Sequence, residues 1–347
     1  MFLRSYIRKK LRERGARKFF NIKYYTKRGY KNGFCPTTID VCGITSENYK
    51  DFLTDRDYML GHPYNGAYSG IIDNKLFLPL LFHNYKEYIP KYFYFKDKYG
   101  FLPLDDNTIT RSSVRMSNSA FFLTLSEEHT LVLKHTHSSV GKGFMLVKQE
   151  GNGFYLNNKV ITKGDLERVL DSLDDYIVTE YVNQHSYASD ICSTSLNTIR
   201  FLCMWDRDKK EFFLARCFQR FGCGGNIVDN LGSGNAYCVF VDVETGEFSS
   251  DGAVNYNHSG DRVVKNIVHP DHEVLLTGIK IPNFVCVKSK ILEMANSFSY
   301  LKYIGFDVAI TDSGFKIIEV NSFSSLEVSQ QCEGFLSDAR IRKSLGF

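Results

Sequence analysis

Short apolar runs separated by polar or glycine-containing turns are the main pattern of the chain from residue 114 onward. Runs of this length, rich in β-branched and aromatic residues, are typical of β-strands. The predicted strands are Ala120–Leu125, Thr130–Lys134, Phe144–Gln149, Gly153–Leu156, Tyr176–Val182, Thr198–Trp205, Glu211–Arg220, Ala236–Asp242, Tyr303–Ile310 and Phe315–Val320. Helical patterns predict helices over Lys163–Leu173 and Lys288–Ser299. Strand-rich blocks with a few helices indicate an α+β protein.

The part of the chain before residue 114 has a different pattern. Glycine and proline interrupt its apolar stretches, and we predict a small α/β lobe with helices near 47–59 and 74–88. The predicted organisation is a basic N-terminal helix at 1–32, the α/β lobe at 33–113, a strand-rich subdomain at 114–182 and a second one at 183–347.

The first 32 residues carry most of the positive charge. They contain twelve Lys and Arg against one acid, Glu13, a local net charge of +11 in a chain whose total is +4. Leu3, Ile7 and Leu11 recur at helical spacing among the basic residues, which predicts a basic amphipathic helix. Residues 1–20 would then suit an anionic membrane surface or a lipid-linked glycan, and the alternative is a solvated helix packed by one stripe. Nucleic acid is not an expected partner, because no nucleic-acid-binding module is recognisable.

The composition is typical of a folded cytoplasmic protein. Of the 347 residues 43% are hydrophobic, and no apolar stretch reaches the roughly 18–20 residues of a membrane span. Nine cysteines form no C-x-x-C pair, and the chain start lacks the apolar core of a secretory signal. We expect buried thiols in a reducing cytoplasm, with peripheral attachment at the inner membrane face as a variant. A zinc site at Cys217 and Cys223 with a nearby histidine is an alternative, although their spacing matches no common ligand pattern.

Three oxygen-bearing side chains near the C-terminus form the first candidate site. In the last predicted strand, Glu319 and Asn321 share one face. A three-residue hairpin loop ending at a left-handed Gly314 would place Asp307 directly opposite Glu319. Two carboxylates and an amide oxygen suit the oxygen-only preference of magnesium. A hairpin with an exposed polar face is the alternative.

A lysine and a loop of small residues form the second candidate site. Lys134 ends an apolar strand and precedes a loop whose backbone amides can approach phosphate oxygens. The loop candidates are Ser138, Ser139, Gly141 and Gly143. The G-x-x-x-x-G-K-[ST] order of a P-loop is not present in the sequence, and a plain glycine-containing hairpin is the alternative.

Further candidates lie at a strand end and on two strands. The strand-end candidates for adenine are Glu180, Tyr181 and Val182, followed by His185 for the ribose. Arg200 and Arg220 lie on predicted strands and can clamp a carboxylate or an acyl phosphate through two hydrogen bonds each, with Asn230 beside them. Surface ion pairs are the alternative for both arginines.

The order of these motifs resembles the ATP-grasp superfamily. It runs from Lys75 through Lys134 and Glu180 to Asp307 and Glu319-Val320-Asn321. A finer resemblance, to the sugar-transfer-associated ATP-grasp family, rests on Ser195-Leu196-Asn197-Thr198-Ile199-Arg200, Arg220-Phe221-Gly222, Val228-Asp229-Asn230, His269-Pro270, Gly278-Ile279-Lys280-Ile281-Pro282 and Tyr303-Ile304-Gly305-Phe306-Asp307. The chain departs from the family's pattern at Gly232-Ser233-Gly234-Asn235, where a glycine pair is usual, and at Phe306, where tryptophan is usual.

The resemblance implies an α+β ATP-grasp fold in which two lobes clasp ATP. It implies that Lys75 and Lys134 contact the nucleotide, and that Asp307, Glu319 and Asn321 carry Mg²⁺, with Mn²⁺ as an alternative. The implied reaction joins a carboxylate to an amine through an acyl phosphate, on a small molecule or glycan of surface polysaccharide (capsule) synthesis. A phosphotransferase acting on a glycan and a non-catalytic nucleotide-binding component of a polysaccharide complex remain open.

Overall fold

A computed structural model describes most of the chain after the basic segment. The described residues are 32–61, 64–105, 108–109, 114–138, 141–230, 236–249, 254–256, 264–265, 268–269 and 271–347. The predicted amphipathic helix lies outside them. The described residues divide into two compact units: the first comprises those within 1–69, 186–308 and 321–347, and the second comprises those within 70–185 and 309–320. The segment boundaries predicted from the sequence stay a prediction.

The helices and strands of the described residues are numbered in chain order. The α-helices are α1 Pro36–Cys42, α2 Asp55–Gly61, α3 Ser69–Ile72, α4 Leu78–Leu81, α5 Asn118–Glu128, α6 Lys163–Asp171, α7 Ser186–Ser189, α8 Phe284–Asn296, α9 Leu326–Ser329 and α10 Ala339–Leu345. Short 3₁₀ helices lie at Tyr49–Asp51, Gly66–Tyr68, Lys75–Phe77 and His83–Tyr88. The strands are β1 Tyr92–Asp97, β2 Gly100–Asp105, β3 Thr108–Ile109, β4 Thr130–His135, β5 Met145–Glu150, β6 Gly153–Leu156, β7 Lys159–Ile161, β8 Tyr176–Glu180, β9 Ile199–Asp206, β10 Glu211–Gly222, β11 Ala236–Phe240, β12 Val254–Tyr256, β13 Val264–Lys265, β14 Tyr303–Thr311 and β15 Gly314–Asn321.

The second unit is built on an antiparallel sheet with the described strand order β3-β2-β1-β8-β4-β5-β6-β7. Helices α5 and α6 pack on this sheet through Phe121, Leu125, Leu166 and Leu170, all of them buried. The two leucines of α6 are four residues apart, which places them on one face of the helix. Thr162 begins that helix by accepting a hydrogen bond from the backbone N–H of Asp165. Apolar spacing and a capping residue therefore explain this layer.

The other sheet has the described strand order β13-β12-β11-β10-β9-β14-β15. Strands β9 and β10 are buried along almost their whole length, which accounts for their continuous apolar runs. Helix α8 covers them with an apolar stripe, and its Phe284 stacks on Phe201 of β9 with ring centroids 5.7 Å apart. Tyr58 of α2 packs with Leu202 and Tyr303, so α2 contributes to this core.

The strand predictions after residue 130 are confirmed to within two residues at most ends, but the predicted strand Ala120–Leu125 is wrong. These residues lie in α5, where the buried positions Ala120, Phe121, Thr124 and Leu125 follow a helical period. An apolar run this short does not separate a helix from a strand, and the helix is recognisable only through its burial pattern.

The two predicted N-terminal helices are also wrong as continuous elements. Residues 47–59 contain a 3₁₀ turn and α2, separated at Phe52, which is extended with φ −108° and ψ 133°. Residues 74–88 contain two 3₁₀ helices and the four-residue α4, with Tyr85 in a non-helical conformation. Strands β1 and β2 were not predicted. Among the described residues, no helix is long and apolar enough to cross a membrane.

The hairpin between β14 and β15 is tighter than predicted. Asp312 and Ser313 form the turn, and Gly314 is already the first residue of β15, with a φ of +140°. The predicted three-residue loop is therefore wrong, whereas the positive φ expected for Gly314 is observed. The register that placed Asp307 directly opposite Glu319 depended on that loop, so the pairing of these residues has no support from the turn.

Candidate active site

A buried ion pair links two neighbouring strands of the first unit. Arg200 of β9 is the register partner of Asp307 of β14. Both residues are buried, with exposed fractions of 6% and 1%. The Arg200 guanidinium donates from Nε to Asp307 Oδ1 and from Nη2 to Oδ2 at 3.0 Å. This two-point contact fixes the plane of the carboxylate as well as its position.

A second arginine shares the same carboxylate. Arg220 of β10 places Nη2 2.9 Å from Asp307 Oδ2, and its Nε lies 3.5 Å from Asp229 Oδ2. Thr198 accepts a hydrogen bond from Arg220 Nη2 and donates through its backbone N–H to Asp229 Oδ2 at 2.7 Å. Arg200, Asp307, Arg220 and Asp229, which we call the charge cluster, therefore form a continuous chain of opposite charges.

The charge cluster has balanced signs and little access to water. An isolated ion buried this deeply would cost several kcal/mol, so each guanidinium depends on a carboxylate partner. Burial raises the pKa of Asp229, while Arg220 and the hydrogen bonds from Thr198 act in the opposite direction. The alternative that Arg200 and Arg220 form surface ion pairs is wrong, because both side chains are buried.

Small and aromatic residues hold Arg200 in place. Its Nη1 donates to Ser324 Oγ at 2.7 Å. A Cβ at Gly305 would lie 2.7 Å from that Oγ and 3.1 Å from Arg200 Cδ, so only glycine fits beneath the side chain. Tyr58 donates to the Ser324 carbonyl at 2.7 Å, and its hydroxyl is 2.9 Å from that of Tyr303. Tyr58 thus holds the backbone of Ser324, and the Ser324 hydroxyl holds the Arg200 guanidinium.

Lys75 is the centre of the candidate site in the second unit. Its Nζ lies 3.4 Å from Glu319 Oε2 and donates to the Ser138 carbonyl at 2.7 Å. The Lys75 backbone N–H donates to the Thr136 carbonyl at 3.1 Å, and Tyr92 Oη donates to the Lys75 carbonyl at 3.1 Å. Burial and then the charge of Glu319 raise the pKa of Tyr92, which keeps its phenol protonated. A lysine, a carboxylate and the predicted loop are therefore brought together.

The described part of the loop after β4 contains two glycines with positive φ. Lys134 is half-buried on β4, and Gly141 and Gly143 have φ values of +71° and +73°. A Cβ at Gly143 would lie 2.7 Å from Tyr176 Oη, so a larger residue there would strain the backbone and require Tyr176 to shift. Ser139 lies outside the described residues.

The strand end of β8 presents a charged and an apolar part. Glu180 Oε1 lies 3.6 Å from Lys316 Nζ, and the Glu180 backbone N–H donates to the Lys91 carbonyl at 2.9 Å. Tyr181 is half-buried and Val182 is buried. The half-buried His185 follows in the same segment, and its backbone N–H donates to the Ile310 carbonyl at 2.8 Å.

Two further predicted residues directly follow these charged groups in the chain or lie two residues after them. Asn230 is half-buried and follows Asp229 directly, and the half-buried Asn321 ends β15. Sequence reasoning missed Asp229 and Ser324 as members of the charge cluster and its support. Asp229 lies directly before the predicted Asn230 in the same motif, and this adjacency could have identified it as a site residue. Ser324 carries no such signal, because its role depends on where Arg200 points.

A match to a protein family gives the class of the protein, which is ATP-grasp. The model of the family described as sugar-transfer associated ATP-grasp matches residues 57–339. The match covers well over half of the chain, and the chain belongs to this family. The predicted resemblance and the predicted α+β fold of the ATP-grasp type are thereby confirmed.

Similar solved structures include several ATP-grasp enzymes. A D-alanine–D-alanine ligase from Bacillus anthracis is 10% identical with a TM-score of 0.39, and the match covers 80% of this chain and 65% of that chain. A biotin carboxylase from Campylobacter jejuni is 11% identical with a TM-score of 0.43, covering 80% and 46%. The ATP-grasp ligase PsnB in complex with a minimal precursor is 11% identical with a TM-score of 0.37, covering 76% and 56%. The chain thus spans about half to two thirds of these structures. No curated protein sequence matches the chain.

Proposed function

We propose that the chain is an ATP-dependent carboxylate–amine ligase. The γ-phosphoryl group of ATP passes to a substrate carboxylate, giving an acyl phosphate and ADP. An amine then attacks the acyl carbon, the amide bond forms, and inorganic phosphate leaves with one oxygen of the former carboxylate. The observation that carries the proposal is the buried contact of Arg200 and Arg220 with Asp307, since a site for anionic reactants needs fixed charges in a dry environment.

In the proposed reaction, the charge cluster fixes the position of the Asp307 carboxylate. Arg200 and Arg220 hold Asp307 in one position, and Asp229 balances the second guanidinium. Because the hydrogen bonds are already formed, little reorganisation is needed when a charged substrate arrives. Asn230, adjacent to Asp229, is proposed to contact the substrate beside the arginines.

Lys75 and Lys134 are the proposed phosphate ligands. Lys75 Nζ is held by Glu319 and by the Ser138 carbonyl, so its charge is positioned beside the loop that carries Gly141 and Gly143. Fixed cations and backbone amides are the groups that stabilise a transferring phosphoryl group. The strand end of β8, with Glu180 to Val182, is proposed to hold adenine, and His185 the ribose.

Magnesium is the proposed metal. Asp307, Glu319 and Asn321 offer carboxylate and carboxamide oxygens, the donor set that magnesium prefers, and Mn²⁺ can take the same ligands. When bound, the ion neutralises charge on the phosphate oxygens of ATP. These three residues are the ones we propose to hold it.

The substrate is proposed to be a sugar acid that receives an amino acid or another amine during surface polysaccharide synthesis. The family description, which links these proteins to sugar transfer, supports this class. The basic residues 1–20 are proposed to bring the cytoplasmic enzyme to an anionic membrane surface or a lipid-linked glycan.

The experiment incubates the protein with magnesium-ATP and a panel of uronic acids and amines. ADP release and product mass are measured together. An amide mass with equimolar ADP supports the proposal, a phosphate ester indicates a phosphotransferase, and ATP binding with no ADP release for any pair indicates a non-catalytic protein. Glu319→Gln should abolish turnover, whereas Asp312→Asn, an exposed change in the same hairpin, should not.

A further inference from the structure

A thiol, an imidazole and a carboxylate converge at the end of β10. Cys223 and His269 are buried, with exposed fractions of 2% and 0%, whereas Asp271 is exposed. Cys223 Sγ lies 3.7 Å from His269 Nε2, and one donor atom from each of the three residues lies within 4.8 Å of the others. All three belong to the first unit. The charge cluster uses none of them.

The backbone holds the three side chains together before any ligand binds. His269 Nε2 lies 3.1 Å from the Gly222 carbonyl, which can only accept, so this nitrogen carries the proton. The Asp271 backbone N–H donates to His269 Nδ1 at 3.3 Å. The Gly224 backbone N–H donates to Asp271 Oδ2 at 2.7 Å. The chain on each side of Cys223 therefore fixes the other two residues.

We propose that Cys223, His269 and Asp271 bind a divalent ion of the zinc class. Zinc binds cysteine sulfur at about 2.3 Å and histidine nitrogen at about 2.0–2.1 Å in tetrahedral geometry. An ion at those distances from two atoms 3.7 Å apart subtends an angle of about 116° between them, close to the tetrahedral value of about 109°. The observed separation of sulfur and nitrogen therefore matches that of two zinc ligands.

The donor set separates this site from the proposed magnesium site. Thiolate and imidazole select zinc-class ions, whereas Asp307, Glu319 and Asn321 offer oxygen alone. On binding, the Cys223 thiol loses its proton to solvent, and the imidazole proton of His269 moves from Nε2 to Nδ1. Nε2 then binds the ion in place of the Gly222 carbonyl, and Nδ1 no longer accepts from the Asp271 backbone N–H. Asp271 is exposed, so water can occupy the fourth position. The ion would join the end of β10 to the segment around His269.

Cys217 is not part of this group. It lies on β10 in register with Phe201 of β9, whereas Cys223 follows the strand. Of the two cysteines in the zinc alternative drawn from the sequence, Cys223 is the one that lies beside His269. Buried Cys217 is consequently the matched control for a buried thiol outside the site.

The test is cobalt titration followed by optical absorption, in a Cys286→Ser/Cys332→Ser background that removes the exposed thiols of the described residues. Cobalt bound through a thiolate gives a sulfur-to-metal charge-transfer band in the near ultraviolet, and zinc should displace it. We expect about one cobalt per chain, and a band that is lost in Cys223→Ser and kept in Cys217→Ser. His269→Gln and the exposed change Asp271→Asn should each weaken binding by at least about tenfold.

Two results would overturn the proposal. One is a folded background protein, verified by circular dichroism, that gives no charge-transfer band at saturating cobalt. The other is a band that persists in Cys223→Ser. If Cys223→Ser fails to fold, Asp271→Asn decides, because this exposed side chain can be changed without opening the core: unchanged cobalt affinity in that variant contradicts the site.

Discussion

Replacing Asp307 by asparagine removes one charge from the centre of the charge cluster while keeping the size of the side chain. Arg200 and Arg220 then remain buried, and Asp229 is the remaining carboxylate of the cluster. Two cations against one anion in a site with a few per cent exposure is an unfavourable arrangement. We therefore expect Asp307→Asn to destabilise the first unit strongly.

The size of the effect follows from the burial. Breaking a buried ion pair by removing one partner costs about 3–5 kcal/mol. For a cooperative unit of about 150–250 residues, each kcal/mol lowers the melting temperature by about 2–4 °C, so the expected loss is about 6–20 °C. Asp307→Asn combined with Arg200→Met restores the balance of charge and should recover part of the loss.

The assay is thermal unfolding followed by circular dichroism and calorimetry, at matched pH and salt. Asp208→Asn is the control, because this exposed carboxylate of the first unit pairs with the exposed Lys343. Loss of a surface pair should lower the melting temperature by less than about 4 °C. A melting temperature for Asp307→Asn within 2 °C or so of the unchanged protein would refute the view that the cluster is a buried, mutually dependent network.

Three further changes have defined outcomes. Gly305→Ala forces a methyl group against Ser324 Oγ at 2.7 Å, so we expect a loss of about 1–3 kcal/mol in urea unfolding and slower ADP release. Gly143→Ala introduces strain at a φ of +73° and a contact of 2.7 Å with Tyr176 Oη, so calorimetric ATP affinity should fall, and an unchanged affinity would separate the loop from the nucleotide. A hydrogen bond from the backbone N–H of Lys209, together with the Arg340 guanidinium, holds the pKa of Asp206 below 3.8. The stability that the Asp206 carboxylate contributes is therefore fully present above pH 3.8, and it is lost as the pH falls through the lowered pKa. Asp206→Asn should therefore be less stable near neutral pH and should show a shallower acid transition, whereas a parallel pH profile would contradict this assignment.

The order of motifs along the chain was sufficient to predict the family and the strands that carry the arginines. Arg200 and Arg220 lie on β9 and β10 as predicted, because long apolar runs leave few alternatives for a strand. Helix α5 was not predicted because its apolar run is short. A run of that length fits both the helical and the strand period, and only the burial pattern separates the two.

The partners of the charged residues could not be predicted from sequence. The Arg200 to Asp307 pair depends on the register of β9 with β14, across a separation of 107 residues. The position of Lys75 beside Glu319 likewise depends on packing within the second unit. A two-residue turn instead of three also changes which residues face each other across a hairpin, and a side-chain period alone does not reveal the turn length.

Isotope transfer tests the central claim, ligation through an acyl phosphate, most directly. A uronic acid substrate carrying ¹⁸O in its carboxylate is incubated with magnesium-ATP and the amine, and the inorganic phosphate is examined by mass spectrometry. The account predicts one ¹⁸O in the phosphate for each amide formed, because the leaving phosphate takes the bridging oxygen of the acyl phosphate. Amide formation with no ¹⁸O in the phosphate, or labelled oxygen found only in a phosphate ester of the sugar, would contradict it.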